Sequence, residues 1–281
     1  MSSYRFQLIN VFAESPLTGN ALCVFEDARG LDDATMQALA LQFNLSETTF
    51  ILPSQKATAK VRIFTPTFEM PFAGHPTLGT SHVVREVLQS PDSITLEMTA
   101  GLIPVSADGD AWTLSANPPT SRPAGAGRTE LAEMLRLAPD DIGEPPLWVD
   151  TGSEQLIVPL MSADAVRRAE PDASTLADWP RSMSGRAMCY VWAHSGPGTV
   201  ESRFFFSKHS SVIEDPGTGS ACANLGGWML ATHQRLPIDL AVSQGAAVGR
   251  PCKLKLSVSA EKQIRVSGRV IVLGSGSIDL P

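Results

Sequence analysis

The stretch Pro71-Phe-Ala-Gly-His-Pro-Thr-Leu-Gly79 decides how this chain is read. It follows Arg62-Ile-Phe64 and opens an apolar run that lasts to Gln89. The same succession returns in the second half, where Arg203-Phe-Phe205 precedes Asp215-Pro-Gly-Thr-Gly-Ser220 and a second apolar run to His233. Arg62 to Gly74 covers 12 positions and Arg203 to Gly217 covers 14. Each half reads as strand, glycine-containing loop, apolar helix. Taken alone, the parallel is equally what chance would give.

The spacing predicts helices over 76–89 and 220–233. The first carries Leu78, Val83, Val84, Val87 and Leu88, the second Ala221, Leu225, Trp228, Met229 and Leu230. Small residues (Gly79, Ser81, Ala223, Gly226, Gly227) fill much of the rest, and charge in the first helix is confined to Arg85 and Glu86. A helix that is apolar or small nearly all round is buried on every side. Mid-helix glycine costs roughly 1 kcal/mol against alanine, so Gly226 and Gly227 imply a very close neighbour. A curved sheet wrapped around one central helix, once per half, meets both conditions. Pro76 and Ser220 mark the helix starts, as a tolerated first-turn proline and a good cap. Such buried N-termini present unpaired N–H groups and positive dipole, which suits a carboxylate.

Around these segments strands outnumber helices and come in runs. Strand-like stretches cover 4–12, 20–25, 49–52, 59–65, 93–98, 102–105 and 112–115, then 155–160, 187–193, 200–206, 253–258 and 263–273. Helical ones cover 31–44 and 131–137. This predicts an α+β fold with mostly antiparallel sheets. The proline-rich segment 117–128 reads as the boundary between the halves.

Composition narrows the function. The chain has 281 residues, 22 basic and 29 acidic, for a net charge of −7. An acidic chain without basic clusters points away from nucleic acid and anionic membranes and toward a small-molecule ligand. No stretch is apolar enough to span a bilayer, and the N-terminus lacks signal-peptide character, so a cytoplasmic setting is expected. Cys23, Cys189, Cys222 and Cys252 have no zinc-site spacing and read as buried thiols. Gly217-Thr-Gly219-Ser-Ala-Cys222 lacks the third glycine of a dinucleotide fingerprint, and no Walker lysine or nucleophile elbow occurs. Asp150-Thr-Gly152 matches the aspartic-protease tripeptide, but only one copy exists where that chemistry needs two carboxylates.

Four ordered segments resemble the PhzF family of phenazine-biosynthesis-like isomerases, which has the diaminopimelate-epimerase fold. They are Phe12-Ala-Glu-Ser-Pro-Leu-Thr-Gly-Asn20, Asn44-Leu-Ser-Glu-Thr-Thr-Phe50, Phe64-Thr-Pro66 with 71–79, and Glu214-Asp-Pro-Gly-Thr-Gly-Ser-Ala221. The resemblance spans the whole chain. It implies two similar halves (1–118 with about 269–281, and 119–268), an active site in the cleft between them, and a homodimer. It further implies Glu47 as the catalytic acid/base, His75, Asp215 and Ser220 as active-site partners, and Asn20, Gly74 and Gly219 as substrate-binding positions. No cofactor or metal is expected. Without that resemblance Glu47 would read as a solvated surface group, His75 as structural, Asp215 as a turn former and Ser220 as a helix cap.

In this picture desolvation raises the carboxyl pKa, so one group can remove and return a proton near neutral pH. His75 and Asp215 orient the substrate. Ser220 and the N–H groups near Gly74 and Gly219 hold a carboxylate. Related epimerases and racemases use two opposed cysteines, where this chain has Ala73 and Pro216. The expectation is therefore an isomerase acting on a small, carboxylate-bearing, cyclic or conjugated metabolite. An epimerase or racemase, and a non-catalytic binding relative, stand as alternatives.

Overall fold

The computed structural model describes residues 2–208 and 210–280. The chain divides into two compact units, Met1–Ser115 with Ser267–Pro281, and Ala116–Val266. Unit 1 contains β1 (Ser2–Val11), β2 (Asn20–Phe25), α1 (Asp33–Phe43), β3 (Glu47–Leu52), β4 (Ala59–Phe64), β5 (Glu69–Met70), α2 (Gly74–Leu88), β6 (Ser93–Met98), β7 (Gly101–Asp108) and β8 (Ala111–Ser115). Unit 2 contains β9 (Thr120–Pro123), α3 (Arg128–Leu135), β10 (Leu147–Asp150), β11 (Gln155–Pro159), α4 (Ala163–Arg168), β12 (Met188–Gly196), β13 (Thr199–Lys208), β14 (Ser211–Asp215), α5 (Gly219–Ala231), β15 (Ile238–Gln244) and β16 (Cys252–Val258). The last strand, β17 (Ile264–Leu280), starts in unit 2 and ends in unit 1.

The strands follow their patterning. In β4, Ala59, Val61 and Ile63 are buried while Lys60 is exposed; in β16, Cys252, Leu254, Leu256 and Val258 alternate with exposed Lys253 and Lys255. That alternation belongs to a sheet with one face on a core. In unit 1 the ladder closes on itself. β1 pairs with β2, β2 with β3, β3 with β4, β4 with β6, β6 with β7 and β7 with β8. β17 then pairs with both β8 and β1. Helix α2 packs against β1, β2, β3, β4, β6 and β8, so this closed barrel surrounds it.

The repeat is a property of the fold. Unit 1 pairs β1/β2 antiparallel, β2/β3 parallel, β3/β4 antiparallel, β4/β6 parallel and β6/β7 antiparallel, with β5 as a hairpin arm on β4. Unit 2 repeats the series with β10/β11, β11/β12, β12/β13, β13/β15 and β15/β16, and β14 as the arm on β13. The two arginines that flagged it play one role. Arg62 pairs with Glu69 at 2.6 Å and lies 5.0 Å above the Phe64 ring. Arg203 pairs with Glu214 at 2.7 Å and lies 4.7 Å above Phe205. Each clamps the hairpin arm that leads into a central helix. With the arginines superposed, the registers match Met70 to Asp215, so Gly74 corresponds to Gly219. Gly217, which local spacing sets against Gly74, and Pro216, set against Ala73, each fall two residues short of the true counterpart, because the second hairpin is four residues longer.

Close packing explains the helix glycines. A Cβ on Gly79 would lie 2.7 Å from Leu22 and 2.8 Å from Val11, and one on Gly227 would lie 2.7 Å from Val149 and 2.9 Å from Pro119. Other boundaries differ from expectation. Both central helices start before the predicted cap, at Gly74 and Gly219. Segment 117–128 is no bare linker: it holds β9, antiparallel to β10, and the buried Ala124. Proline rules out the middle of a sheet but not a short strand whose prolines sit at or beyond its ends.

Candidate active site

Glu47 is the first residue of β3, and His75 the second of α2. The two elements are tied inside unit 1 by a buried hydroxyl pair, Thr49 Oγ1 to Thr80 Oγ1, at 2.7 Å. His75 Nδ1 lies 3.5 Å from Glu47 Oε2, with side-chain exposures of 6% and 16%. Burial pushes the His75 pKa down to about 3, against a weaker upward pull from its hydrogen bond with the Ala21 backbone. The imidazole is therefore neutral near pH 7, and Glu47 faces a hydrogen-bonding ring rather than a cation. Asn20, the first residue of β2, is buried. Gly19 before it has φ +81, and a Cβ there would lie 2.6 Å from the Val11 carbonyl oxygen. Only glycine permits that turn. Gly74 opens α2 without a side-chain cap, and Pro76 falls in the first turn, where no N–H partner is lost.

Asp215 ends β14, and the cap of α5 is Thr218 rather than Ser220. Thr218 makes no capping bond because its hydroxyl donates to Asp215 Oδ2. Gln244, 2% exposed, holds this loop. Its Nε2 donates to the Asp215 carbonyl at 2.8 Å and to Thr218 Oγ1 at 3.0 Å, while its Oε1 accepts from the Thr218 N–H at 3.3 Å. Ser220 is the second residue of α5, directly after Gly219, and accepts from Gln155 Nε2 at 2.9 Å.

The structure thus brings Glu47 to His75 in unit 1, and Asp215, Gly219 and Ser220 to one helix end in unit 2. Sequence reasoning missed Thr218, Gln244, Gln155 and Asn224. A signal existed for one: Asn224 is the only amide in an otherwise apolar helix. Cys222 is fully buried within α5, and burial raises its thiol pKa far above the ordinary range. Among the described residues no group of three or more His, Cys, Asp or Glu could hold a metal ion.

The strand series is thus repeated in both units, and in the first a partly buried carboxyl stands 3.5 Å from a buried imidazole. The profile of the phenazine biosynthesis-like protein family matches residues 9–277, and the chain belongs to this PhzF family. It is 35% identical to an uncharacterized isomerase of Pasteurella multocida, over 100% of this chain and 96% of that one. It is 34% identical to the trans-2,3-dihydro-3-hydroxyanthranilate isomerase of Pseudomonas aeruginosa, covering 98% and 96%. A phenazine biosynthesis protein of the PhzF family from Bacillus anthracis superposes with a TM-score of 0.89 at 25% identity, covering 100% of both chains. The chain is an isomerase with an α+β fold. Among the described residues no helix is long and apolar enough to cross a membrane.

Proposed function

We propose that Glu47 is the acid/base of an isomerisation that moves one proton within a small, carboxylate-bearing, cyclic or conjugated metabolite. The observation that carries this reading is the pairing of partly buried Glu47 with buried His75, 3.5 Å apart, with a neutral imidazole. Glu47 takes the proton from a carbon acidified by a conjugated system and returns it at another carbon. His75, uncharged, orients a polar substituent without locking Glu47 into an ion pair. Asp215 and Ser220 are the substrate-orienting groups of unit 2, where Ser220 with the N–H groups of the first turn of α5 suits a carboxylate. None of these steps calls for a cofactor. Family expectation adds a cytoplasmic homodimer, whose mass light scattering would read.

A racemase removes and returns the proton on opposite faces and needs two bases. Superposing Arg62 on Arg203 puts Met188 where Glu47 stands, and Met70 where Asp215 stands. No second acid/base mirrors Glu47, which favours the single-base reading.

The test is mass spectrometry in heavy water, with trans-2,3-dihydro-3-hydroxyanthranilate as first compound and a metabolite panel after it. Deuterium entering a C–H position with wild type, and not with Glu47→Gln, is the expected result. Full turnover by Glu47→Gln would remove Glu47 as the catalyst.

A further inference from the structure

A buried run of amides stands behind Ser220. Thr151 donates twice to Asn224 Oδ1, from its backbone N–H at 2.9 Å and from its hydroxyl at 2.7 Å. Asn224 Nδ2 donates to the Ser153 carbonyl at 2.8 Å and to Gln155 Oε1 at 2.8 Å. Gln155 Nε2 then donates to Ser220 Oγ at 2.9 Å. Asn224 is 0% exposed and Gln155 3%.

The direction of this run is fixed by the backbone. A backbone N–H can only donate and a backbone carbonyl can only accept. The Thr151 N–H demands an oxygen at one end of Asn224, and the Ser153 carbonyl demands an N–H at the other. Asn224 therefore presents N–H to Gln155. Gln155 must answer with its oxygen, which leaves its NH2 facing Ser220. The Ser220 hydroxyl has one proton, and in this bond it is the acceptor. Its own proton points elsewhere, and among the described residues no other hydrogen bond takes it up.

We propose that Gln155 and Asn224 are positioning residues that hold Ser220 as an obligate hydrogen-bond donor, so that the substrate group meeting Ser220 is an acceptor, a carboxylate or similar anionic oxygen. This rests on the reading of Ser220 as substrate-facing. A run that merely fastened residues 151–155 to α5 would need these contacts but no particular polarity at Ser220.

Neutron diffraction from deuterium-exchanged wild-type crystals reads the polarity without a substrate. Gln155 deuterons facing Ser220, with the Ser220 deuteron off that line, are expected. A Ser220 deuteron lying on the line to Gln155 overturns the inference. Kinetics test its consequence. Gln155→Glu is nearly isosteric but accepts from Ser220 and so reverses it. It should lower kcat/KM on trans-2,3-dihydro-3-hydroxyanthranilate by about 10- to 100-fold, mostly through KM, as the loss of one bond to a charged group predicts. The loss should shrink as falling pH protonates the introduced carboxyl, which can then donate again. Asn224→Asp flips Gln155 by a separate change and should reproduce the loss. In a Ser220→Ala background neither change should cost more. An undiminished cost in that background overturns the inference alone. A Ser220→Ala variant with wild-type kcat/KM removes Ser220 as a substrate-facing group, and the inference with it.

Discussion

The two central helices begin alike and are furnished differently. At the second residue of α2 stands His75, and at the second of α5 stands Ser220. Glu47 has Met188 as its counterpart, and Asp215 has Met70. Each unit keeps one carboxylate at a place where its twin keeps a thioether. Around Asp215 and Ser220 the buried amides of Gln244 and Gln155 set hydrogen-bond directions, whereas Glu47 sits beside a ring whose charge has been removed by burial. Duplication supplied one frame twice. In the proposed division of labour, one end moves the proton and the other fixes polarity.

The largest effect should come from exchanging carboxylate for amide in each unit. Glu47→Gln should lower turnover by about 100- to 10,000-fold, the range for removing a general acid/base. Asp215→Asn keeps the Thr218 contact and should cost less, chiefly in KM. Equal losses in kcat would break the division of labour between the units. Both are read by steady-state kinetics with the heavy-water assay as control.

The frame itself can be tested at the helix glycines. Gly79→Ala and Gly227→Ala should each destabilise by about 1–3 kcal/mol through overpacking. Gly227→Ala should cost more, since the Pro119 ring 2.9 Å from the new Cβ cannot rotate away. Gly226→Ala, whose neighbours start at 3.0 Å, should cost less than either. Thermal denaturation should fall about 2–4 °C per kcal/mol.

A smaller effect concerns pH. The His75 pKa falls from 6.5 to about 3 in the folded chain. Below pH 6.5 the unfolded chain therefore binds a proton that the folded one refuses, and stability declines as pH drops through that window. Denaturant midpoints at pH 7 and pH 5 should differ more for wild type than for His75→Gln. An equal difference would mean that His75 is charged when folded. The smallest effect on turnover belongs to Cys222→Ser. It should leave kcat unchanged while costing about 1–3 kcal/mol for a buried hydroxyl. Loss of proton exchange in that variant would favour thiol-based epimerisation instead.

The arginine-to-helix succession was visible because it is local, a hairpin clamp followed by a helix too apolar to face water, but only the family motifs set it above chance. Glu47 and His75 could be named only through the family motif, since nothing in Leu-Ser-Glu-Thr-Thr says that the carboxyl is withdrawn from solvent. Gln155 and Gln244 were illegible because their partners lie 65 and 26 positions away. The strand β9 was hidden by prolines that reject the middle of a sheet but not its margin. Periodicity and small-residue placement were enough, in the sequence alone, for two buried apolar helices and an acidic chain suited to a small ligand, while the sheet wrapped around each helix came from the family resemblance. Tertiary structure alone decided that His75 is neutral, that the second hairpin is the longer, and that Ser220 accepts from Gln155. Burial and hydrogen-bond direction are set by neighbours far away in the chain, and local sequence does not contain them.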